Sequence, residues 1–296
     1  MRLTVSERDP LASELQHALS VNPVDLAGVA LTVAKLEYAG LDPAASIATL
    51  DQLGDRARQR LARVAGGSTR ARVAALNALL FDDEGFSGNY SHYDDFRNSY
   101  LNAVLERRLG IPITLALVYI EVARRANIDV QGIAFPGHFL MRVPLRSSAD
   151  TEIAGMVLDP FDGGAELDAS SCRKLLGRHL GTTDDPPLDP ALLRPCTPRQ
   201  MVARMLNNLK RNYLELHAFG RARRVTDLLL AVEPARLSEL RDRGLLALHL
   251  DDVGAALRDL EDYSRLRTWR DEGDQEEREQ ILDSIKTLRR RIGTMN

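Results

Sequence analysis

The sequence has few of the features that mark a secreted or membrane protein. It holds only two cysteines, Cys172 and Cys196, and they do not form the spacing pattern of a disulfide-rich secreted domain. No run of about 18 uncharged apolar residues is present, so no membrane-spanning helix is expected. The first residues are charged and lack an apolar core, so no signal peptide is expected either. These absences together predict a reduced, cytoplasmic protein.

Strong charge of one sign and metal-binding clusters are also missing. The formal net charge is -3, so neither nucleic acid nor an anionic membrane is an expected partner. The six histidines show no pairing at ligand spacing, so no metal is expected. The pair Gly66-Gly67 lacks the lysine and the preceding strand of a phosphate loop, and we expect no cofactor. We interpret the short basic run 286–291 as a solvated helix face rather than an interaction tail.

The pattern of apolar residues predicts a mostly helical α+β fold. Apolar side chains recur at helical spacing in residues 10–82, and the chain after residue 198 is again helical in pattern. Three short apolar runs, at 130–134, 139–143 and 156–158, are separated by Pro, Gly and polar turns, which is typical of strands. We therefore expect a core with a small antiparallel sheet, followed by α-helical repeats.

Proline divides the chain into two predicted domains. Residues 181–198 hold five prolines, and proline disfavours both helices and sheet ladders, so this stretch is predicted to be a linker. The predicted domains are then residues 1–180, with a helical N-terminal part, and residues 199–296.

The most informative motifs lie between residues 110 and 160. An almost wholly apolar helix is predicted over 114–126, and Pro112 suits its first turn because the missing N–H has no partner there anyway. His138 follows in Pro-Gly-His-Phe, and Asp159 follows in Leu-Asp-Pro. This order of helix, His and Asp resembles the papain-like transglutaminase core, in which a cysteine opens the helix.

That resemblance implies a catalytic triad that has lost its nucleophile. The position of the cysteine falls on Pro112, or on Ile113 after a one-residue slip, and neither can attack a carbonyl. Thr114 carries a hydroxyl near the same helix start, but its β-branched side chain suits packing or capping better. Cys172 is interpreted as a structural thiol, and Cys196 lies in the predicted linker.

His138 and Asp159 are therefore interpreted as triad remnants that bond to each other. The alternative is that His138 is a structural histidine that satisfies a buried carbonyl group. Another feature next to this site is an aromatic-rich stretch at 84–100, which is predicted to be an ordered loop. One interpretation is functional, with Tyr90 and Tyr93 in one wall of a binding groove. The alternative is structural, with the loop acting as a lid whose aromatic side chains pack over the core.

The last hundred residues contain a repeat. Small and apolar residues recur 34 positions apart, as in Leu206 and Leu240, and in Ala222 and Ala256. This period resembles the tetratricopeptide repeat, whose face usually binds peptide or protein. The alternative is that the face docks onto the chain's own first domain. Arg241 and Arg243 offer a fork for a partner's carboxylate, or else form an intrachain salt bridge across the junction between the repeat and the first domain.

Several motifs in combination resemble one bacterial family, the SirB-type proteins. The matching stretches are Asn98-Ser99-Tyr100-Leu101-Asn102, Val104-Leu105-Glu106-Arg107-Arg108-Leu109-Gly110-Ile111-Pro112-Ile113, Pro136-Gly137-His138-Phe139, Leu158-Asp159-Pro160-Phe161-Asp162-Gly163-Gly164 and Arg241-Asp242-Arg243-Gly244-Leu245-Leu246. The resemblance implies a transglutaminase-like core followed by tetratricopeptide repeats, and a regulatory association.

We therefore expect a pseudoenzyme, a non-catalytic regulatory module that binds a protein or peptide. The alternative is an amide or ester hydrolase in which His138 acts as a base on water and Asp159 orients it. A third hypothesis is a helical scaffold whose groove is filled by its own side chains.

Overall fold

The computed structural model describes residues 9–145, 155–182, 185–269 and 273–295. Its contacts divide the chain into two compact units. One unit is Ala18–Met205, and the other joins the segment before Ala18 to the chain from Leu206 onward. The predicted fold class is confirmed, because helices dominate the described residues and a small antiparallel sheet accompanies them.

The unit Ala18–Met205 is built around helices that begin at well-formed N-caps. The carboxylate of Asp25 accepts a hydrogen bond from Gly28 N–H, and that of Asp42 accepts one from Ala44 N–H. Such caps satisfy amides that lack a partner in the first helical turn. The α-helices up to residue 182 are α1 (Pro10–Ser20), α2 (Leu26–Ala34), α3 (Pro43–Ala62), α4 (Thr69–Asn77), α5 (Leu101–Arg107), α6 (Pro112–Arg125) and α7 (Ala169–Leu180).

The central helix of this unit is α6, as its apolar sequence predicts. It contacts α2, α3 and α5 as well as the neighbouring sheet, and most of its side chains are buried. Its one buried carboxylate, Glu121, is 2% exposed and forms ion pairs with Arg124 and Arg125. Pairing is required there because an isolated charge in an apolar interior is strongly unfavourable.

Two small sheets complete the unit. Strands β1 (Ser87–Gly88) and β2 (Leu109–Gly110) pair in parallel. Strands β3 (Gln131–Ile133), β4 (Leu140–Val143), β5 (Met156–Asp159) and β6 (Ala165–Leu167) form an antiparallel sheet in that order. The three strands expected from the sequence are β3, β4 and β5. Strand β6 was not expected, because its Ala-Glu-Leu sequence has no apolar run.

Residues 185–198 of the proline-rich stretch are anchored by two buried leucines, although most of these residues are exposed. Leu188 and Leu193 are buried in one cluster with Ile133 and Phe135 of the sheet region, and a 3-10 helix forms at Pro190–Leu193. The compact unit therefore continues to Met205, beyond the predicted linker. The division into 1–180, 181–198 and 199–296 stays a prediction.

The other unit consists mainly of antiparallel helices that pack in chain order. Its helices are α8 (Pro198–Glu215, which begins before the boundary), α9 (Phe219–Val232), α10 (Leu237–His249), α11 (Val253–Leu266) and α12 (Gly273–Met295). Contacts join α9 to α10, α10 to α11 and α11 to α12. The repeated alanines Ala222 and Ala256 are fully buried. A Cβ atom at Gly244 would lie 2.9 Å from the Leu260 side chain, so this glycine lets α10 and α11 approach closely.

A buried arginine ties the helices of this unit together. The Arg243 guanidinium donates to both carboxylate oxygens of Asp259, at 2.7 and 2.8 Å, and to Asp227 at 2.9 Å. Burial raises the pKa of Asp227 above its ordinary value, against the opposing effect of Arg243. Among the described residues, no helix has the length and apolar character needed to cross a membrane.

We predict that Arg243→Ala destabilises the protein by about 3–5 kcal/mol, because it removes the cation bonded to the buried Asp259 carboxylate and to the half-buried Asp227 carboxylate. Urea unfolding of the full chain, followed by far-UV circular dichroism, measures this loss. The matched control is Arg211→Ala, which removes an exposed ion pair with Glu215 at 3.9 Å and should cost no more than about 1 kcal/mol. Equal losses in the two variants would show that the buried network is not a main source of stability.

Candidate functional site

The candidate site begins with a hydrogen-bonded His–Asp pair. Strands β4 and β5 are antiparallel and pair Met141 with Leu158. The first residue of β4 and the last residue of β5 therefore lie at the same end of the sheet. His138 precedes β4 and Asp159 ends β5. The imidazole Nε2 lies 2.9 Å from Asp159 Oδ1. Since a carboxylate accepts, Nε2 donates the proton in this bond.

The Asp159 carboxylate is held in place by the backbone as well. Its Oδ1 also accepts a hydrogen bond from Phe161 N–H at 2.9 Å, and the residue is only 8% exposed. A carboxylate with two donors on one oxygen has little freedom to turn. Asp159 therefore fixes the orientation of the imidazole ring.

A tight turn after Asp159 is anchored to α4. Gly164 N–H donates to the Asp159 carbonyl at 2.8 Å, and the Gly164 carbonyl accepts from the Asn77 side-chain amide at 2.8 Å. Gly164 has a φ of +74°, and a Cβ there would lie 2.6 Å from Asn77 Oδ1. Only glycine fits both requirements. Within the described ranges, no group of three or more His, Cys, Asp or Glu side chains could hold a metal ion.

The His–Asp pair opens into a cleft of about 550 Å³. One wall is aromatic, because Tyr90 and Phe161 line it with ring centroids 4.4 Å apart. Tyr93 does not line the cleft, and its ring contacts Phe161 with centroids 5.8 Å apart. The His138 ring lies 6.3 Å from the same Phe161 ring. Tyr90 is 67% exposed and donates its hydroxyl hydrogen to the Phe161 carbonyl at 3.0 Å. The structure thus brings Tyr90, Tyr93, His138 and Asp159 together around Phe161.

The opposite wall comes from the end of α7. Leu175, Arg178 and His179 line the cleft there, together with Asp162 of the turn. Gly137, next to His138, has a φ of +68°, and a Cβ at this position would lie 2.5 Å from His179 Nδ1. Arg178 and His179 were not predicted from the sequence, where they are ordinary polar residues near a helix end.

The residues at the expected nucleophile position do not line this cleft. Pro112 opens α6, and Pro112, Ile113 and Thr114 are all buried. The Thr114 hydroxyl donates to the Asn98 carbonyl at 2.6 Å and accepts from Ile111 N–H at 3.1 Å. Its oxygen is therefore used for capping and loop attachment.

Neither thiol is arranged as a nucleophile. Cys172 is fully buried on α7, and this burial raises its pKa to about 11. Burial likewise raises the pKa of Cys196 to about 11. Within the part of the chain that the structure describes, no hydrogen bond joins either thiol to the His138 imidazole. Both sulfurs thus remain protonated at neutral pH.

Asn98 is the centre of the loop that carries the aromatic wall. Its side-chain amide donates to the carbonyls of His92 and Tyr93, at 2.7 and 3.2 Å. Its side-chain oxygen accepts from Asn89 at 3.0 Å and from Arg107 at 3.3 Å. Because the Asn98 carbonyl also binds Thr114, this one residue attaches the loop to the start of α6.

Arg241 and Arg243 belong to the other compact unit, and both bond to carboxylates there. Arg243 is 7% exposed and bonds to Asp227 and Asp259. Arg241 pairs with Asp242 at 2.9 Å and with Glu277. These ion pairs are intrachain, but they lie within this unit rather than across the junction with the first domain that the sequence offered as the alternative to a carboxylate fork. A binding role for the two arginines stays a prediction.

Comparison with known proteins gives two family matches. Residues 44–207 match the model of the transglutaminase-like superfamily, and residues 209–290 match a tetratricopeptide repeat. A UPF0162 protein of Xylella fastidiosa is 40% identical over 244 residues, which cover 81% of this chain and 83% of the relative. Protein SirB1 of Salmonella typhimurium is 25% identical over 211 residues, with 71% and 75% covered. F-box only protein 21 of Mus musculus is 31% identical over 182 residues, which cover 60% of this chain and 28% of that protein.

We predict that Asn98→Ala loosens the aromatic loop, because it leaves buried donors and acceptors unpaired at about 1–3 kcal/mol for each group. Hydrogen exchange should rise in residues 89–98 and urea unfolding should shift to lower concentration. The control is Asn102→Ala, since the Asn102 side-chain oxygen has no partner among the described residues. An exchange rate at 89–98 that stays at the wild-type value would contradict the role given to Asn98.

Proposed function

Since the chain belongs to the SirB-type family, in which a transglutaminase-like domain precedes tetratricopeptide repeats, we propose that it is a non-catalytic regulatory module that binds a protein or peptide. The observation that carries the proposal is an open aromatic cleft beside a His–Asp pair that has no reactive thiol. Such a cleft can hold a peptide, but it lacks the group that would attack one. Its setting is predicted to be the reducing cytoplasm.

The cleft offers contacts suited to an extended peptide. Tyr90 and Phe161 present aromatic faces, and Leu175 adds apolar surface on the opposite wall. Exposed aromatic side chains in a concave site are typical anchors for a partner's apolar side chains. Arg178 and Asp162 lie in the same cleft and provide charges of both signs for the polar groups of a bound chain.

The repeats support the same proposal independently of the cleft. Tetratricopeptide repeats commonly mediate protein interactions, and residues 209–290 match that family. Recognition explains this combination of domains better than turnover does, because neither thiol is arranged as a nucleophile.

The hydrolase alternative rests on the hydrogen bond between His138 and Asp159. With Nε2 bonded to Asp159, the other ring nitrogen, Nδ1, would have to act as the base on water. A general base by itself supplies only about 10²–10⁴-fold in rate. Without a nucleophile or an identified oxyanion site, that contribution leaves most of the barrier to amide hydrolysis in place.

The test uses peptides selected from a random phage-displayed library against the immobilised full chain, then resynthesised. We predict that Tyr90→Ala and His138→Ala each weaken binding by about tenfold or more, because they remove parts of the cleft wall. Isothermal titration calorimetry measures the change. Tyr90→Phe is the matched control, since it keeps the ring and removes only the hydroxyl that bonds Phe161.

The same samples address hydrolysis. We expect the selected peptides and simple ester substrates to be cleaved at equal background rates by the wild type and His138→Ala. Peptides that bind the wild type and Tyr90→Ala equally well would exclude the cleft as their site. Turnover that is lost in His138→Ala would favour the hydrolase instead.

A further inference from the structure

A second groove lies in the C-terminal unit, between α11 and α12. It encloses about 640 Å³ and is separate in composition from the His138 cleft, since its lining residues lie between Glu261 and Arg290. Four basic side chains surround it, namely Arg265, Lys286, Arg289 and Arg290. Three of them belong to the basic run 286–291, which was interpreted from the sequence as a solvated helix face.

Half of this positive charge is not balanced within the unit. Arg265 pairs with Asp262, and Arg289 pairs with Glu261 at 2.7 Å. Lys286 and Arg290 are exposed, and neither forms an ion pair with any residue that the structure describes. The groove therefore carries positive charge that is available to an acidic ligand.

The groove also has an apolar floor. Leu282 is 44% exposed although it lines the groove, and Ile285 beneath it is 6% exposed. A leucine with this exposure, one turn from Lys286 on the same helix, gives the groove an apolar stripe beside its charges. That combination matches an amphipathic helix with apolar and acidic residues at helical spacing, laid into a groove between two helices.

We propose that the α11–α12 groove binds an acidic amphipathic helix of a partner protein. Carboxylates of the partner pair with Lys286 and Arg290, and its apolar side chains cover Leu282. A nucleic acid fits less well, because an exposed leucine offers nothing to a phosphate backbone. The groove lies in the repeats, so this inference rests on the binding function proposed above. Its residues differ from those of the aromatic cleft, so variants of the two sites distinguish a failure of one from a failure of the other.

The probe is a fluorescein-labelled peptide of about 18 residues, with Leu at helical i, i+3, i+4 and i+7 positions and Glu between them. Its fluorescence anisotropy is measured with the full chain. We expect saturable binding that the double variant Lys286→Glu, Arg290→Glu weakens by at least about tenfold. Leu282→Ser should weaken it by about fivefold. Higher salt should weaken it too, because the Debye length falls from about 10 Å at 0.1 M to about 3 Å at 1 M.

Three controls make the outcome specific. Arg278→Glu, on the same helix but outside the groove, should change affinity by less than about twofold. Tyr90→Ala and His138→Ala should leave the affinity for this peptide unchanged. If these two variants lose binding while the groove variants keep it, the peptide binds in the aromatic cleft and the proposal is overturned. A peptide of the same composition with scrambled order should bind more weakly. Equal binding of the scrambled peptide, tighter binding of a single-stranded DNA, or no saturable binding up to about 1 mM would each also overturn it.

Discussion

The full burial of Cys172 and the partial burial of Cys196 are the constraint on which the functional account depends. An imidazole oriented by a carboxylate is useful to a nucleophile only when that nucleophile can lose its proton. Here burial raises the pKa of both Cys172 and Cys196 to about 11, so at neutral pH each sulfur is a thiol. The hydrogen bond between His138 and Asp159 therefore serves to fix the orientation of the imidazole at the edge of an open cleft.

The cleft is assembled by backbone contacts as much as by side chains. The turn after Asp159 is joined to Asn77 of α4, and the aromatic loop is joined to α6 through Asn98 and Thr114. The start of α6, where the transglutaminase-like resemblance would place a cysteine, is occupied here by Pro112, and the Thr114 hydroxyl two residues later bonds to Asn98 of the loop. The start of α6 thus attaches the loop that carries Tyr90.

Much of the fold followed from the sequence, because its signals are local. Helix α6 was predicted from the apolar character of residues 114–126 and from the proline at 112. Strands β3, β4 and β5 were predicted from three short apolar segments. The 34-residue period gave the helical repeat, which the family match confirms. Strand β6 had no such signal, since three residues with one charge form a strand only through pairing with β5.

The site was only partly predictable, because its other members meet through tertiary packing. His138 and Asp159 stood out by their motifs, and Tyr90 by its aromatic neighbours. Arg178 and His179 reach the cleft only because α7 ends beside Gly137. Arg243 bonds to two aspartates that lie 16 residues away on either side, and nothing in the sequence distinguishes this buried ion pair from an open binding fork.

The most direct test of the account is the reactivity of the thiols in the folded chain. The native protein is treated with iodoacetamide at neutral pH, and adducts are counted by intact-mass spectrometry over time. A pKa of about 11 predicts that both cysteines react at least about 100-fold more slowly than free cysteine, equally in the wild type and in His138→Ala. In urea both should react at the free rate. A thiol that reacts in the native wild type as fast as free cysteine, and slows in His138→Ala, would contradict the account and indicate a working nucleophile.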